Sequence, residues 1–166
     1  MSKYLFQTSR LLFRPFSLVD APALYQLNED PLVIQYTGDP PFDSLDAARK
    51  FVQNYNHYEQ YGFGRWSVLL KENERFIGWC GLKYTPAKEE IDLGFRFFRK
   101  EWNKGYATES ASAAINYGFE QLGLKKIVGR AMKANGASIR VLEKIGMRYE
   151  KGIDMEGNEG VQYCIF

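Results

Sequence analysis

The spacing of apolar and polar positions predicts elements in the order βααβββαβαββ. "RLLFRPF" (Arg10 to Phe16) is a short apolar run with a proline near its end, which suits an edge strand leading into a loop. Asp20 then stands where it can cap a first helix, with Pro22 in the opening turn, Leu24 and Leu27 at helical spacing, and an end near Asn28. A longer helix starts at Asp43 or Ser44, carries Leu45, Ala48, Phe51, Val52 and Tyr55 on one stripe, and stops around Gly62. "RWSVLL" and "RFIGWCGLKY" flank the polar turn "KENE", so Arg65 to Tyr84 is a predicted hairpin, and "EIDLGFRFF" follows as a strand with Asp92 inside it. Tyr106 to Leu122 has Ala107, Ala111, Ala114, Ile115, Phe119 and Leu122 on one helical face, with Gly123 as its stop. "KKIVGRAM" is a strand, "GASIRVLEKIG" a helix, and "MRYEKG" and "GVQYCIF" two last strands around "DMEGN".

One junction stands out in that order. "EWNKGYATES" (Glu101 to Ser110) puts a lysine and a glycine between a strand and a helix lined with small residues. Free amides at the helix start and the positive end of its dipole point at one spot, and Gly105 removes the side chain that would keep an anion from the backbone. The nucleotide pattern GxxxxGK[ST] and the dinucleotide pattern GxGxxG are both absent, so another phosphate ligand is implied.

Composition narrows the function classes. At 166 residues, 45% hydrophobic and 25% charged, the chain suits one soluble domain spanning residues 1–166. A net charge of +2, spread without a basic stripe, excludes a non-specific nucleic-acid binder. The apolar runs are far shorter than the roughly 20 residues needed to span a bilayer, and the N-terminus has no signal-peptide core, so a cytoplasmic location is expected. Cys80 and Cys164 lack metal or redox spacing, and His57 is the single histidine. Neither a metal site nor a disulfide is indicated. The cysteines, set among apolar strand residues, are expected in the core, and His57, among Asn54, Asn56 and Glu59, on the surface.

With "IDLGFRFF" before it and "ANGASIRVLEKIGMRYE" after it, "WNKGYATESASAAINYGFEQLGLKKI" resembles the GNAT N-acetyltransferases, closest to the RimJ/RimL-like ribosomal-protein N-terminal acetyltransferase group. "TSRLLFRPF" and "PLVIQYTGDPP" extend the likeness over almost the whole chain. The resemblance implies an α/β (α+β) fold: a central, mixed, mostly antiparallel seven-stranded sheet, splayed between its fourth and fifth strands and flanked by about four helices. It places acetyl-CoA in the cleft, with the backbone of Asn103, Lys104, Gly105, Tyr106, Ala107 and Thr108 around its pyrophosphate and Lys104 adding charge. Phe95, Phe97, Trp102 and Asn135 are implied along the rest of the coenzyme. Trp102 departs from the family pattern, which has arginine or glutamine there; because the phosphate contacts are mostly main-chain, the change bears on packing.

Acetyl transfer needs a neutral amine, and an alkylamine with a pKa of about 10.4 is protonated at neutral pH, so a nearby proton acceptor helps. Asp92 aligns with the acidic position of the family's fourth strand and is the first candidate, directly or through a water. Glu90, two residues earlier on the same face, is the reserve, and an ion pair with a basic residue is the alternative role for Asp92. Asn135 and Ser138 in "NGAS" match the family's Asn-x-x-Ser, which puts the serine near the sulfur as a proton donor. Asn135 is also a good N-cap for the helix beginning at Gly136. Tyr36, Trp66 and Trp79 fall where the family builds its acceptor cleft, and Tyr36 and Trp79 are the expected acceptor contacts. The resemblance implies a primary amine as acceptor, first of all a protein N-terminus, with small-molecule amines or a non-catalytic coenzyme sensor as alternatives. "GVQYCIF" is expected to offer an open edge to a second subunit, giving a homodimer.

Overall fold

The computed structural model describes residues 3–166. Its sheet has eight strands in the order β1-β2-β3-β4-β5-β6-β8-β7. They are β1 (Phe6–Gln7), β2 (Leu11–Pro15), β3 (Arg65–Leu70), β4 (Phe76–Thr85), β5 (Glu90–Phe97), β6 (Ile127–Met132), β7 (Arg148–Met155) and β8 (Asn158–Ile165). The helices are α1 (Ala21–Glu29), α2 (Leu45–Asn54), α3 (His57–Tyr61), α4 (Tyr106–Glu120) and α5 (Gly136–Lys144). All strand pairs are antiparallel except β5 with β6, which run parallel.

That pair matters most for function. β5 and β6 register at Asp92 with Val128 and Leu93 with Gly129, and beyond these the strands diverge. The sheet is thus splayed where the resemblance implies, leaving Gly94 to Phe97 hydrogen-bonded to β4 on one side only. Side chains alternate along β5, so Ile91, Leu93, Phe95 and Phe97 share one face with the main core, while Glu90, Asp92, Gly94 and Arg96 share the other.

The main core lies between the sheet and helices α4 and α5. Trp66, Phe13, Leu82 and Ile127 are fully buried there, and the small residues Ala111, Ala114 and Gly118 let α4 approach closely. On the other face, Ala21 and Leu24 of α1 and Ala48 and Val52 of α2 form a second cluster with Phe76 and Trp79. Burial of a large apolar side chain contributes about 1.5–3 kcal/mol, so the first cluster dominates stability.

Several expectations are corrected. The sheet has eight strands, because Phe6 stacks on Phe13 (4.3 Å) and Tyr117 (4.7 Å) and so adds a two-residue β1 with too little length to show a period. The second predicted helix breaks after Asn54, since Tyr55 is extended (φ −74°, ψ 102°). Its ring turns inward so that its hydroxyl accepts the Arg65 amide at 2.8 Å, while the Tyr58 hydroxyl donates to the Arg65 carbonyl and accepts the Phe16 amide. Burial raises the phenol pKa of both tyrosines, which favours their protonated, neutral form.

Asp20 precedes α1 but does not cap it with its side chain. It is buried, pairs with Arg14 through two bonds of 2.7 and 2.8 Å, and accepts from Ser67 Oγ (2.7 Å) and the Ser17 amide (2.9 Å). His57 is half-buried instead of solvated: Nδ1 meets the Phe63 carbonyl at 2.5 Å and Nε2 accepts the Tyr84 amide at 3.0 Å. The last strand is no open edge, because β8 pairs with β6 and β7 and the outer strand is β7. Both cysteines are in the core as expected, and burial pushes the Cys80 thiol up to about 12.

Candidate active site

The turn between β5 and α4 is shaped by two left-handed residues, Asn103 (φ 63°) and Gly105 (φ 83°). Gly105 is the N-cap of α4, and the first intrahelical bond runs from the Glu109 amide to the Gly105 carbonyl at 3.0 Å. The amides of Tyr106, Ala107 and Thr108 therefore have no partner within the helix and are free for an anion. Asparagine and glycine are the residues that take this conformation at least cost.

The turn is braced from behind. Arg10, just before β2, reaches the Glu109 carboxylate with Nε at 2.7 Å and the Lys104 carbonyl with Nη1 at 2.9 Å, and it stacks on the Tyr106 ring at 4.5 Å. Thr8 Oγ1 donates to the same carboxylate at 2.5 Å, and so does the Arg10 amide at 3.1 Å. Burial pushes the Glu109 carboxyl up, but the bonds from Thr8 and Arg10 outweigh it and hold the group below the usual carboxylate range. On the cleft side, Glu101 is 1% exposed and pairs with Arg75 at 2.7 Å and Lys104 at 3.5 Å. Here too burial raises the carboxyl, while the Arg75 bond and the charges of Arg75 and Lys104 lower it further, for a net depression. Lys104 thus shares its charge with a buried carboxylate. The Trp102 indole donates to the Phe97 carbonyl at 3.0 Å and covers the corner where β5 leaves the sheet.

A cleft of about 380 Å³ opens at this turn, in the splay of the sheet. It gathers Phe95, Phe97, Trp102, Asn103, Gly105 and Tyr106. Ala107 and Thr108 continue the same wall, and Asn135 with Ser138 close it from α5. Tyr36 belongs to the roof, a segment between α1 and α2 that also brings Leu32, Val33 and Thr37. Asn135 has the predicted capping role: its Oδ1 accepts the Ser138 amide at 3.2 Å. Lys104, Asp92 and Trp79 lie outside these walls. Trp66 is 1% exposed and packs in the main core, so it cannot touch an acceptor.

Asp92 sits on the other face of β5. Its Oδ2 is 3.0 Å from Arg65 Nη2 and its Oδ1 3.8 Å from Arg130 Nη1. Arg65 Nη1 also donates to the carbonyls of Gly81 (2.9 Å) and Asp92 (3.0 Å). Glu90 is further along the same face, held by Arg130 at 2.6 Å and by the Gln162 amide at 3.1 Å. Trp79 lies between two guanidinium groups, Arg65 at 5.4 Å and Arg96 at 5.2 Å from its ring. Arg96 lines the cleft and bonds Asn28 (2.9 Å) and Asp39 (2.8 Å).

The sequence pattern of the acetyltransferase (GNAT) domain family matches residues 10–148. The chain is a GNAT acetyltransferase. "Uncharacterized N-acetyltransferase p20" of Bacillus licheniformis is 32% identical over 145 residues, which cover 86% of this chain and 82% of that protein. The "FsC-acetyl coenzyme A-N(2)-transacetylase" of Aspergillus fumigatus is 38% identical over 152 residues, 86% of this chain and 64% of that protein. The solved structure of RimL, the ribosomal L7/L12 α-N-protein acetyltransferase in complex with coenzyme A, superposes with a TM-score of 0.82 over 98% of this chain and 97% of its own. At 18% identity that likeness is one of fold. Family membership makes the protein an acetyl-CoA-dependent acyltransferase. The left-handed turn, the free amides of α4 and the cleft in the splay fit that co-substrate. No helix of the described residues is long and apolar enough to cross a membrane.

Sequence reasoning missed the arginines. Arg10, Arg65, Arg96 and Arg130 were given no role, yet each is tied to a carboxylate. Arg140 and Lys144, on the α5 side of the cleft, were also unremarked, although their i, i+4 spacing places the two of them along one flank of α5.

Proposed function

We propose that the protein acetylates the primary amine of an amino-acyl acceptor, first of all a peptide or protein N-terminus, by direct transfer. The observation that carries this reading is the arrangement around β5. One face of the splayed strand leads to the coenzyme cleft, and the opposite face holds Asp92 beside Arg65 and Arg130.

Acetyl-CoA supplies the activated acetyl group as a thioester. The free amides from Asn103 to Thr108 hold its pyrophosphate, Phe95, Phe97 and Trp102 line its path, and Asn135 orients its arm. Asp92 takes up the proton of the acceptor ammonium through a water, since its own oxygens are engaged by arginines. The neutral amine attacks the thioester carbonyl and the C–S bond breaks; Ser138 passes a proton to the departing sulfur and regains one from the nitrogen as the amide forms. Tyr36 and Trp79 flank the acceptor.

A small-molecule amine is the second reading, favoured by the 38% identity to an enzyme named as an N(2)-transacetylase of FsC. The RimJ/RimL-like assignment belongs to the first reading and rests on the sequence motifs from Trp102 to Glu150. Incubation with acetyl-CoA and a panel of N-terminal peptides, amino acids, polyamines and aminoglycosides, with free thiol recorded, tests both. The proposal expects release with peptides; release with another amine alone would replace the acceptor, and silence with bound coenzyme would favour a sensor.

A further inference from the structure

Along the acceptor side of the sheet, three of four inward-facing guanidinium groups have a largely buried carboxylate beside them: Arg14, 15% exposed, has Asp20, Arg65, 15% exposed, has Asp92, and Arg130, 12% exposed, has Glu90. Arg96 differs. Its side chain is 9% exposed, its Nη1 meets the neutral amide oxygen of Asn28, and its buried Nε has no hydrogen-bond partner. Among the described residues its charge is balanced by Asp39 alone, and Asp39 is 58% exposed. A buried cation is costly without a close anion, while an ion pair with an exposed partner contributes little and is easily exchanged.

The position of Arg96 gives that imbalance a use. It lines the cleft together with the roof residues Tyr36 and Thr37, and it lies against Trp79. Asp39 follows the roof directly. An arginine fork matches a carboxylate in two parallel bonds, which a single carboxylate oxygen of Asp39 does not fill.

We infer that Arg96 is the specificity-determining residue of the acceptor site, selecting amines that carry a carboxylate close by, with the guest carboxylate taking the place of Asp39. The inference rests on the acetyl-transfer reading above and narrows its acceptor to acidic N-terminal peptides or free amino acids. A polyamine is disfavoured, because its second ammonium would face the guanidinium.

The test compares matched acceptors with equal amine chemistry: free amino acids against their amides, and tripeptides with glutamate against glutamine at the second position. Wild-type protein with acetyl-CoA is expected to show a KM at least about tenfold lower for the acid of each pair, the scale of one charge-assisted bond pair. Arg96→Gln is read only through the acid-to-amide ratio, which should fall to about one. Asp39→Asn gives the decisive sign. Removing the competitor should lower KM for the acids by about threefold or more and leave the amides in place, whereas a mere tether of the roof would raise KM for both alike. Equal KM values for acid and amide in the wild type, or a common rise in Asp39→Asn, overturns the inference and leaves acetyl transfer standing. Absence of thiol release with every amine, with coenzyme bound, overturns the acceptor reading and this inference together.

Discussion

The Arg65 guanidinium and the Asp92 carboxylate meet at 3.0 Å across the bare backbone of Gly94. A side chain built at Gly94 would come within 2.7 Å of the guanidinium carbon, so the glycine is what lets the arginine lie flat on the sheet. Gly94→Ala is therefore expected to push Arg65 off Asp92 and lower kcat by about tenfold, a small part of what a general base contributes. Acetyl-CoA affinity, measured by calorimetry, should change little, because the cradle is on the other face.

Arg10 and Glu109 fix the phosphate turn from outside the cleft. Glu109→Gln keeps the shape but weakens the bonds to Arg10 and Thr8, so the Lys104 carbonyl loses its anchor. Charge-assisted bonds of this kind contribute about 1.5–3 kcal/mol each, and a loss of roughly tenfold in acetyl-CoA affinity is expected. Calorimetry with acetyl-CoA checks it, with melting temperature as the control for folding.

Glu101 and Glu109 both have depressed carboxyl pKa values in the folded protein. A depressed folded value stabilises the fold above the unfolded value of about 4.3 and is lost as pH falls through the folded value. Stability should thus decline as pH drops below that range, and the decline should be shallower in Glu101→Gln. Denaturant midpoints measured from pH 6 down to pH 3 give the comparison.

Asp20 and Arg14 form a buried two-bond pair, with Ser67 and Ser17 filling the remaining lone pairs. Breaking such a pair leaves a buried charge alone. Asp20→Asn is expected to cost about 3–5 kcal/mol in a urea titration, more than Lys50→Ala at an exposed helix pair, where about 0.3–0.5 kcal/mol is at stake.

Much of the fold was legible because each strand and helix carries its own period and punctuation. Gly105 and Gly123 marked both ends of α4, and "NGAS" announced the cap of α5. The break at Tyr55 was hidden because Leu45, Ala48, Phe51, Val52 and Tyr55 keep helical spacing up to the break; only the partner of its hydroxyl, Arg65, reveals why the chain turns. The anion cradle at the start of α4 was readable from a local motif, since it is built of backbone amides. The acceptor side was not. Arg65, Arg96 and Arg130 stand on different strands, and their carboxylates come from β5 and from a loop 57 residues away from Arg96. Gly81 and Gly94 were the available signal, because a glycine inside a strand marks close approach, and here they are register partners with Arg65 laid across them.

Asp92 as the proton acceptor is the central claim, and one measurement addresses it most directly. Thiol release from acetyl-CoA with a turned-over amine is followed in wild type and in Asp92→Asn, with the coenzyme dissociation constant measured on the same samples. Loss of kcat by about 10² or more with coenzyme binding retained is the predicted result. A kcat within threefold of wild type would contradict it and assign Asp92 to holding Arg65.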